Sequence, residues 1–385
     1  MPWREGSAMD ERIRFVGEWL LGEVSRTELC ERYGISRRTG YKWLSRYEAE
    51  GPTGLSERSH APLHHGRSTP AELVEKLVAL RRARPTWGPR KLVAKLGALH
   101  PRLAWPSHST AHAILKREGL VTGRRLRRHP PRRLGELVTP ERPNHVWAVD
   151  HKGWITLRNG ERCEPLTLTD SYSRYLLAVS TSNSPGQAQA RPAMELAFRE
   201  YGLPEVIRSD NGPPFATAST TGLSALSVWW IKLGIHPERI TPGRPQENGR
   251  LERFHLTLLE AMKPAASSRS VQARRFEAFR HDYNHERPHQ ALGQIPPAAF
   301  YQPSLRVMPK QPDKPDYPRT MTTKKVRTNG EIKLAGGRLI HISSALAGEA
   351  VALEPIEGGC RVWFYKEPIG LIDHNGRKLL PIQQG

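Results

Sequence analysis

N-H-V-W-A-V-D-H-K-G-W-I-T-L-R-N-G-E-R-C-E-P-L-T-L-T-D-S-Y-S-R-Y-L-L-A-V-S, residues 144–180, is the stretch from which the fold of this chain is read. An apolar run leads into Asp150, a short G-E-R turn joins it to Cys163–Asp170, and Tyr172–Ser180 has the pattern of a third strand. Connections this short pair neighbouring strands antiparallel. Downstream, Gln187–Tyr201 repeats apolar residues at helical spacing (Ala190, Met194, Leu196, Ala197, Tyr201) and ends at Gly202-Leu203-Pro204. V-I-R-S-D, residues 206–210, is a short buried strand, parallel to the first because a helix lies between them. A helix around Leu223–Leu233 and a strand around Ile235–Ile240 follow. Three hairpin-linked strands and then strands alternating with helices make an α/β layered domain with a mixed sheet.

The 385 residues allow two to four domains, and 33 prolines with 32 glycines point to many linkers and turns. The net charge of +21 calls for a polyanionic partner, with nucleic acid first, against the plainer alternative of a ribosome-associated or merely arginine-rich protein. Met1–Pro140 holds 27 basic against 14 acidic residues, more than half of the chain's excess. Cys30, Cys163 and Cys360 lie far apart and form no C-x-x-C, which excludes a cysteine zinc module and suggests a reduced, cytoplasmic protein. No apolar run reaches the roughly 18 residues of a membrane span, and no signal peptide follows Met1, so a soluble protein without a membrane partner is expected.

Ahead of the α/β domain, residues 1–50 read as three short helices. Ile13, Val16, Trp19 and Leu20 form one apolar face, Ser25 and Glu28 form a capping box, and Gly34 supplies a turn. Ser36 caps a third helix carrying Arg37, Arg38, Lys42 and Arg46, with Trp43, Leu44 and Tyr47 available for packing. This is a helix-turn-helix pattern whose basic residues suit phosphates and guanine edges. Its alternative is an ordinary three-helix bundle with a solvated basic face. Residues 51–69 are a linker in composition, and residues 70–122 form a second helix-turn-helix-like unit with stripes Leu73, Leu77, Leu80 and Leu92, Val93, Leu96, its last helix capped by Ser107 or Ser109. The linker 123–143 contains Arg124, Arg125, Arg127 and Arg128 and is read as lying extended on phosphates.

Five motifs in order carry a resemblance: W-A-V-D-H-K-G-W, T-D-S-Y-S-R-Y, S-D-N-G-P-P-F, P-G-R-P-Q-E-N-G-R-L-E-R-F-H and Y-N-H-E-R-P-H-Q-A-L-G. Over about residues 144–301 the chain resembles bacterial insertion-sequence transposases with a retroviral-integrase-type core. The resemblance implies an RNase H-like fold and an Asp-Asp-Glu metal site at Asp150, Asp210 and Glu252. It also implies Mg²⁺, with Mn²⁺ able to substitute, in a pair of ions that cut and join DNA. Two ions on either side of an in-line displacement activate the attacking oxygen and stabilise the leaving one, and hard carboxylate oxygens are the ligands such ions prefer.

Asp150 to Asp210 is 60 positions and Asp210 to Glu252 is 42, which implies extra residues around Ala216–Leu223 relative to the family. Glu247 competes with Glu252 as the third acid, but a place in the first turn of a helix begun by Pro245 already accounts for it. Asp170 reads as a structural acid. Lys152 offers a charge beside Asp150, His255 a neighbour one helical turn from Glu252, and Arg250 and Arg253 flank Glu252 on a helix expected to lie along DNA. Tyr283, Asn284, Arg287, Pro288 and His289 are expected to tie the chain back onto the core. A proline-rich linker, 302–325, precedes three β-like runs in 326–385, read as a small β-barrel. The expected activity is element-end binding, cleavage and strand transfer by a homo-oligomer on double-stranded DNA. A nuclease of the same fold and an inactive DNA-binding regulator are the alternatives.

Overall fold

A computed structural model of the chain describes residues 7–58, 68–121, 137–241, 249–373 and 378–382, and the chain divides into two compact units, Met1–Thr69 and Pro70–Gly385.

In the first unit, α1 (Ala8–Leu21), α2 (Arg26–Arg32) and α3 (Arg37–Glu50) surround Phe15, Leu29, Ile35, Trp43 and Leu44. Gly34 takes the left-handed conformation that turns α2 into α3. The buried face of α1 is the expected one only in part, since Val16 is buried and Trp19 packs against the core. Phe15 and Val16 are buried, whereas Ile13 and Leu20 face solvent. The rotation follows Arg12, whose guanidinium lies 3.9 Å from the Trp43 ring and donates to the Leu55 carbonyl at 2.9 Å. Leu55 is thereby buried although its surroundings read as linker. A reciprocal capping box occurs at Ser7 and Asp10, while at Ser25 the hydroxyl accepts from the Glu28 amide without a reciprocal bond.

The second unit begins with α4 (Ala71–Ala83), α5 (Pro89–Leu99) and α6 (His108–Arg117), closed over Leu77, Trp87, Leu92 and Leu115, with Ser107 as the cap of α6. Next come β1 (Val146–His151), β2 (Ile155–Thr156), β3 (Arg162–Asp170), β4 (Leu176–Ser182), α7 (Gln187–Tyr201), β5 (Val206–Ser209), α8 (Ala225–Lys232) and β6 (His236–Arg239). β1 pairs antiparallel with β3 and parallel with β5; β3 pairs antiparallel with β4, and β5 parallel with β6. This is the mixed sheet expected. β2 extends β1 along the same edge of β3, because the chain leaves the strand at Lys152–Trp154 before rejoining.

Side chains alternate across a strand, so Trp147 and Val149 join the core under α7 and α8 while Ala148 faces the other layer. That second layer is α9 (Gly249–Ala261) and α10 (Arg269–His281), packed through Leu251, Phe254, Leu258 and Phe276. Leu196 departs from the expected α7 stripe: it is exposed and Phe198 takes its place in the core. Asn284 clamps β4 as the motif around it suggested, accepting from the Leu176 amide at 2.8 Å and donating to its carbonyl at 2.9 Å.

The C-terminal strands are β7 (Thr322–Lys325), β8 (Glu331–Lys333), β9 (Leu339–His341), β10 (Ala350–Ile356), β11 (Gly359–Phe364), β12 (Glu367–Asp373) and β13 (Leu379–Leu380). The expected barrel is not closed among the described residues. β13-β12-β11-β10-β7 form an open antiparallel sheet, and β8 and β9 pair only with each other. Its apolar face needs no closure, because Leu223, Val228 and Ile231 around α8 pack into the same cluster. The segment after Tyr301 is stitched to the core: Ser304 donates to Tyr201 at 2.7 Å, and Leu203 donates to Arg306 at 2.7 Å. No described helix is long and apolar enough to cross a membrane.

Gly202 permits that seam. Its φ is +76° and a Cβ there would sit 2.5 Å from the Ser304 carbonyl oxygen. Gly202→Ala is expected to destabilise the protein by roughly 1–3 kcal/mol, read as a lower urea midpoint; an unchanged midpoint would contradict the close approach.

Candidate active site

Asp150 closes β1, Asp210 follows β5, and Glu252 lies in the first described turn of α9. β1 and β5 are parallel neighbours, so both aspartates leave the same end of the sheet. Asp150 shares the pleat side of Ala148, whose layer contains α9. The three acids thus come from three segments distant in the chain. The charges of Asp210 and Glu252 both act on Asp150, whose pKa is pushed up to about 7, first by burial and then by Asp210, with Lys152 pulling the other way.

Asp210 is also raised, by burial, and eased by the Gly212 amide. Its Oδ1 is buried with no hydrogen-bond partner. A Cβ on Gly212 would lie 3.2 Å from Oδ2, so the loop wraps directly on this carboxylate. Asn211 pins the turn by donating to the Ile240 carbonyl at 2.6 Å. His151 stacks on Phe215 at 5.7 Å and joins the ends of the two aspartate segments. Residues 216–223 fold as a small loop, bridged between Ala216 and Leu223.

Below the site the sheet is held by a buried pair. Arg208 donates to Glu238 at 2.5 Å and to the Val138 carbonyl at 2.6 Å, while the Val138 amide returns to Glu238 at 2.7 Å. With every charge answered, this network holds β5 to β6 directly under Asp210. Asp170 is consumed structurally, accepting from the Asn144 amide at 2.8 Å and from the Ser173 amide at 2.7 Å and hydroxyl at 2.5 Å.

Sequence reading placed His255 near the site without a role. Its Nε2 is 2.7 Å from Thr167 Oγ1, and that hydroxyl donates to the Asp150 carbonyl at 3.1 Å. On the other side of the ring, Nδ1 lies 3.8 Å from Asp150 Oδ2. Burial, then Lys152 and His151, lower His255 to about 3 and keep it neutral.

The donor set suits a hard divalent cation. All three groups are carboxylates, one oxygen is buried and unanswered, and their mutual repulsion is relieved by a positive ion. Among the described residues no group of three or more His, Cys, Asp or Glu side chains is arranged so that it could hold a metal ion. The acids converge without closing on a common point.

Of the other basic candidates, Arg250 donates to the Ser171 carbonyl at 3.1 Å, and Arg253 is exposed one residue beyond Glu252. Arg37, Arg38 and Lys42 are exposed along α3, whereas Arg46 is half-buried with its guanidinium 5.0 Å from the Trp43 ring. Arg124, Arg125, Arg127, Arg128 and Glu247 lie outside the described residues.

The raised pKa of Asp150 has a signed consequence. Between 3.8 and about 7 the folded state holds this proton more tightly than the unfolded chain, so the contribution is full below 3.8 and lost as pH rises through 7. In EDTA, Asp150→Asn is expected to raise the thermal midpoint above pH 7, with the gain vanishing below about pH 4. Equal midpoints at both pH values would contradict the charge convergence. His255 acts oppositely: its contribution is full above 6.5 and lost as pH falls toward about 3. His255→Gln should therefore flatten the acid limb of the stability profile; an unchanged limb would show that a neutral histidine there is not required.

Four family-model matches cover this architecture. The Integrase core domain matches residues 140–245 and 233–297, a Helix-turn-helix domain matches 11–62, and a Homeodomain-like domain matches 39–115. An uncharacterized insertion-element protein of Xanthomonas euvesicatoria is 29% identical over 289 residues, spanning 73% of this chain and 79% of that protein. One from Burkholderia multivorans is 27% identical over 284 residues, spanning 72% and 90%. Among solved structures, a chain of the simian T-cell lymphotropic virus intasome is 17% identical with a TM-score of 0.38, covering 75% of this chain and 96% of that one. The chain thus carries matches to an integrase core domain and to helix-turn-helix domains, and it is similar to bacterial insertion-element proteins.

Proposed function

We propose that the protein is a DNA transposase that binds the ends of a mobile element, cleaves to expose a 3′ end and joins that end to target DNA. The observation that carries this reading is the convergence on Asp150 of the charges of Asp210 and Glu252, delivered by two parallel strands and a helix. Two divalent cations, Mg²⁺ or Mn²⁺ in its place, would supply an activated oxygen nucleophile and a stabilised leaving oxygen. Asp150, Asp210 and Glu252 are the residues that would hold these cations through their carboxylate oxygens. Asp150 must shed its proton to serve, and Lys152 helps by favouring its charged form. Thr167, backed by His255, fixes the Asp150 main chain and so the direction of its carboxylate.

Lys152 also offers its ammonium group to a phosphate. No serine or tyrosine is needed as a covalent nucleophile, because water and then the new DNA 3′-hydroxyl serve in turn. Arg37, Arg38 and Lys42 on α3 are assigned to DNA recognition, as are Arg46, whose guanidinium also packs on Trp43, and Arg124, Arg125, Arg127 and Arg128 of the arginine-rich segment. Arg250 and Arg253 are assigned to the DNA strand beside Glu252. Joining two element ends calls for more than one catalytic core, so a homo-oligomer on DNA in the bacterial cytoplasm is the working form.

The test combines full-length protein, Mg²⁺, a labelled duplex bearing the terminal repeat of the element and a target plasmid. Joined products are expected, and Asp150→Asn, Asp210→Asn and Glu252→Gln should each lower them by more than about 100-fold, beyond the loss usual for outer-shell partners. Nicking without joining would indicate a nuclease, and binding without cutting an inactive regulator. Full joining in Glu252→Gln with loss in Glu247→Gln would move the third acid to Glu247.

A further inference from the structure

A cleft of about 530 Å³ opens between the N-terminal ends of α5 and α6 and the outer face of α9. Arg90 and Lys91 line it from α5, Arg253 from α9, and Arg287 from the segment after α10; Glu260 is the acid among the lining residues. Its walls are held together by links independent of the cleft, since Arg84 pairs with Asp282 at 2.6 Å and Lys95 with Glu286 at 2.5 Å. Lys91 donates to the Pro288 carbonyl as well.

Arg287 is the unusual member. It is only 9% exposed, and among the described residues its guanidinium makes no hydrogen bond or ion pair. Asp282 faces it but is spent on Arg84, and Glu260 and Tyr283 lie within electrostatic range without binding it, while Arg253 repels it. None of its nitrogens is sealed from solvent, so the guanidinium opens on the cleft, where a phosphate or carboxylate can pair with it. Lys91 feels the same excess: burial, Arg287 and Arg253 lower its pKa to about 8. The α5 N-terminus has no side-chain cap at Gly88, and its partial positive charge adds to the field.

We propose that this cleft binds the phosphodiester backbone of the DNA strand that runs into the acid cluster. Arg253, Leu256, Thr257 and Glu260 recur at helical spacing along one wall, and Glu252 immediately precedes the first of them. The 13 residues of α9 span about 20 Å, the axial length of about six base pairs. An extended polyanion thus fits the wall better than a single small ion. The second helical unit then acts as half of a clamp whose other half is the catalytic core, and Arg287 lies at its floor. This rests on the reading of the chain as a DNA-processing enzyme.

Binding of a labelled terminal-repeat duplex by the full-length protein in EDTA, measured across a salt series, tests it. Each phosphate contact contributes about 0.9 to the slope of log K against log salt. Arg90 and Arg253 are exposed, so the double variant Arg90→Gln/Arg253→Gln should fold normally. Its slope should fall by about 2, with affinity down at least about 10-fold at low salt, and Arg287→Gln should lower it further. Arg199→Gln, an exposed charge removed on α7, should leave the slope unchanged. A wild-type slope in the double variant, or an equal fall in Arg199→Gln, would overturn the cleft while leaving the transposase reading intact. No binding by the unaltered protein would overturn both.

Discussion

The structure depends on a tolerated repulsion. Asp150 is raised to about 7 first by burial and then by the charge of Asp210, with Glu252 adding to it. A folded chain gains nothing in stability from such a cluster. It persists because the scaffold around it is over-determined. The answered network of Arg208, Glu238 and Val138 lies directly under one aspartate, and the chain from His255 through Thr167 supports the other.

The same logic extends outward from the sheet. Asn144 receives the Trp147 indole at 3.0 Å and the Tyr301 hydroxyl at 2.9 Å on its side-chain oxygen, and donates to the Gln302 carbonyl at 2.7 Å. One amide thus joins the start of β1, the aromatic layer and the chain leaving the core. Asn284 does the equivalent for β4. Buried amides with both ends satisfied specify a single arrangement, which a site built from three separate segments requires.

The charge of the chain is distributed with the same economy. The buried cation under the sheet, Arg208, is paired, while Arg37, Arg38 and Lys42 on α3 and Arg253 on α9 face solvent. Arg287 departs from this pattern: it is only 9% exposed, yet its guanidinium opens on the cleft instead of pairing with an acid among the described residues. The C-terminal sheet follows from burial in turn. Its apolar face is covered by α8, whose Val228 and Ile231 belong to that cluster while Trp229 and Trp230 belong to the core.

Asp150 and Asp210 were legible in the sequence because each ends an apolar run just before a turn, and strand ends at a common sheet edge are a local property of the pattern. Glu252 was legible through its motif and its place beside an apolar helical stripe. The alternation of strands and helices determined the mixed sheet in the same way. What the sequence misread were choices among near-equal local options. Either of two faces of α1 was apolar enough to bury, and Arg12 on Trp43 decided between them. Phe198 displaced Leu196 because the larger ring fills the gap beside Trp147 at 5.8 Å. The barrel remained open because α8 already covered the surface that closure would have buried. The Thr167–His255 support and the Arg287 cleft had no signal in one dimension at all. Each joins residues far apart in the chain, and only the packing of β3 against α9, or of α5 against the segment after α10, decides that they meet.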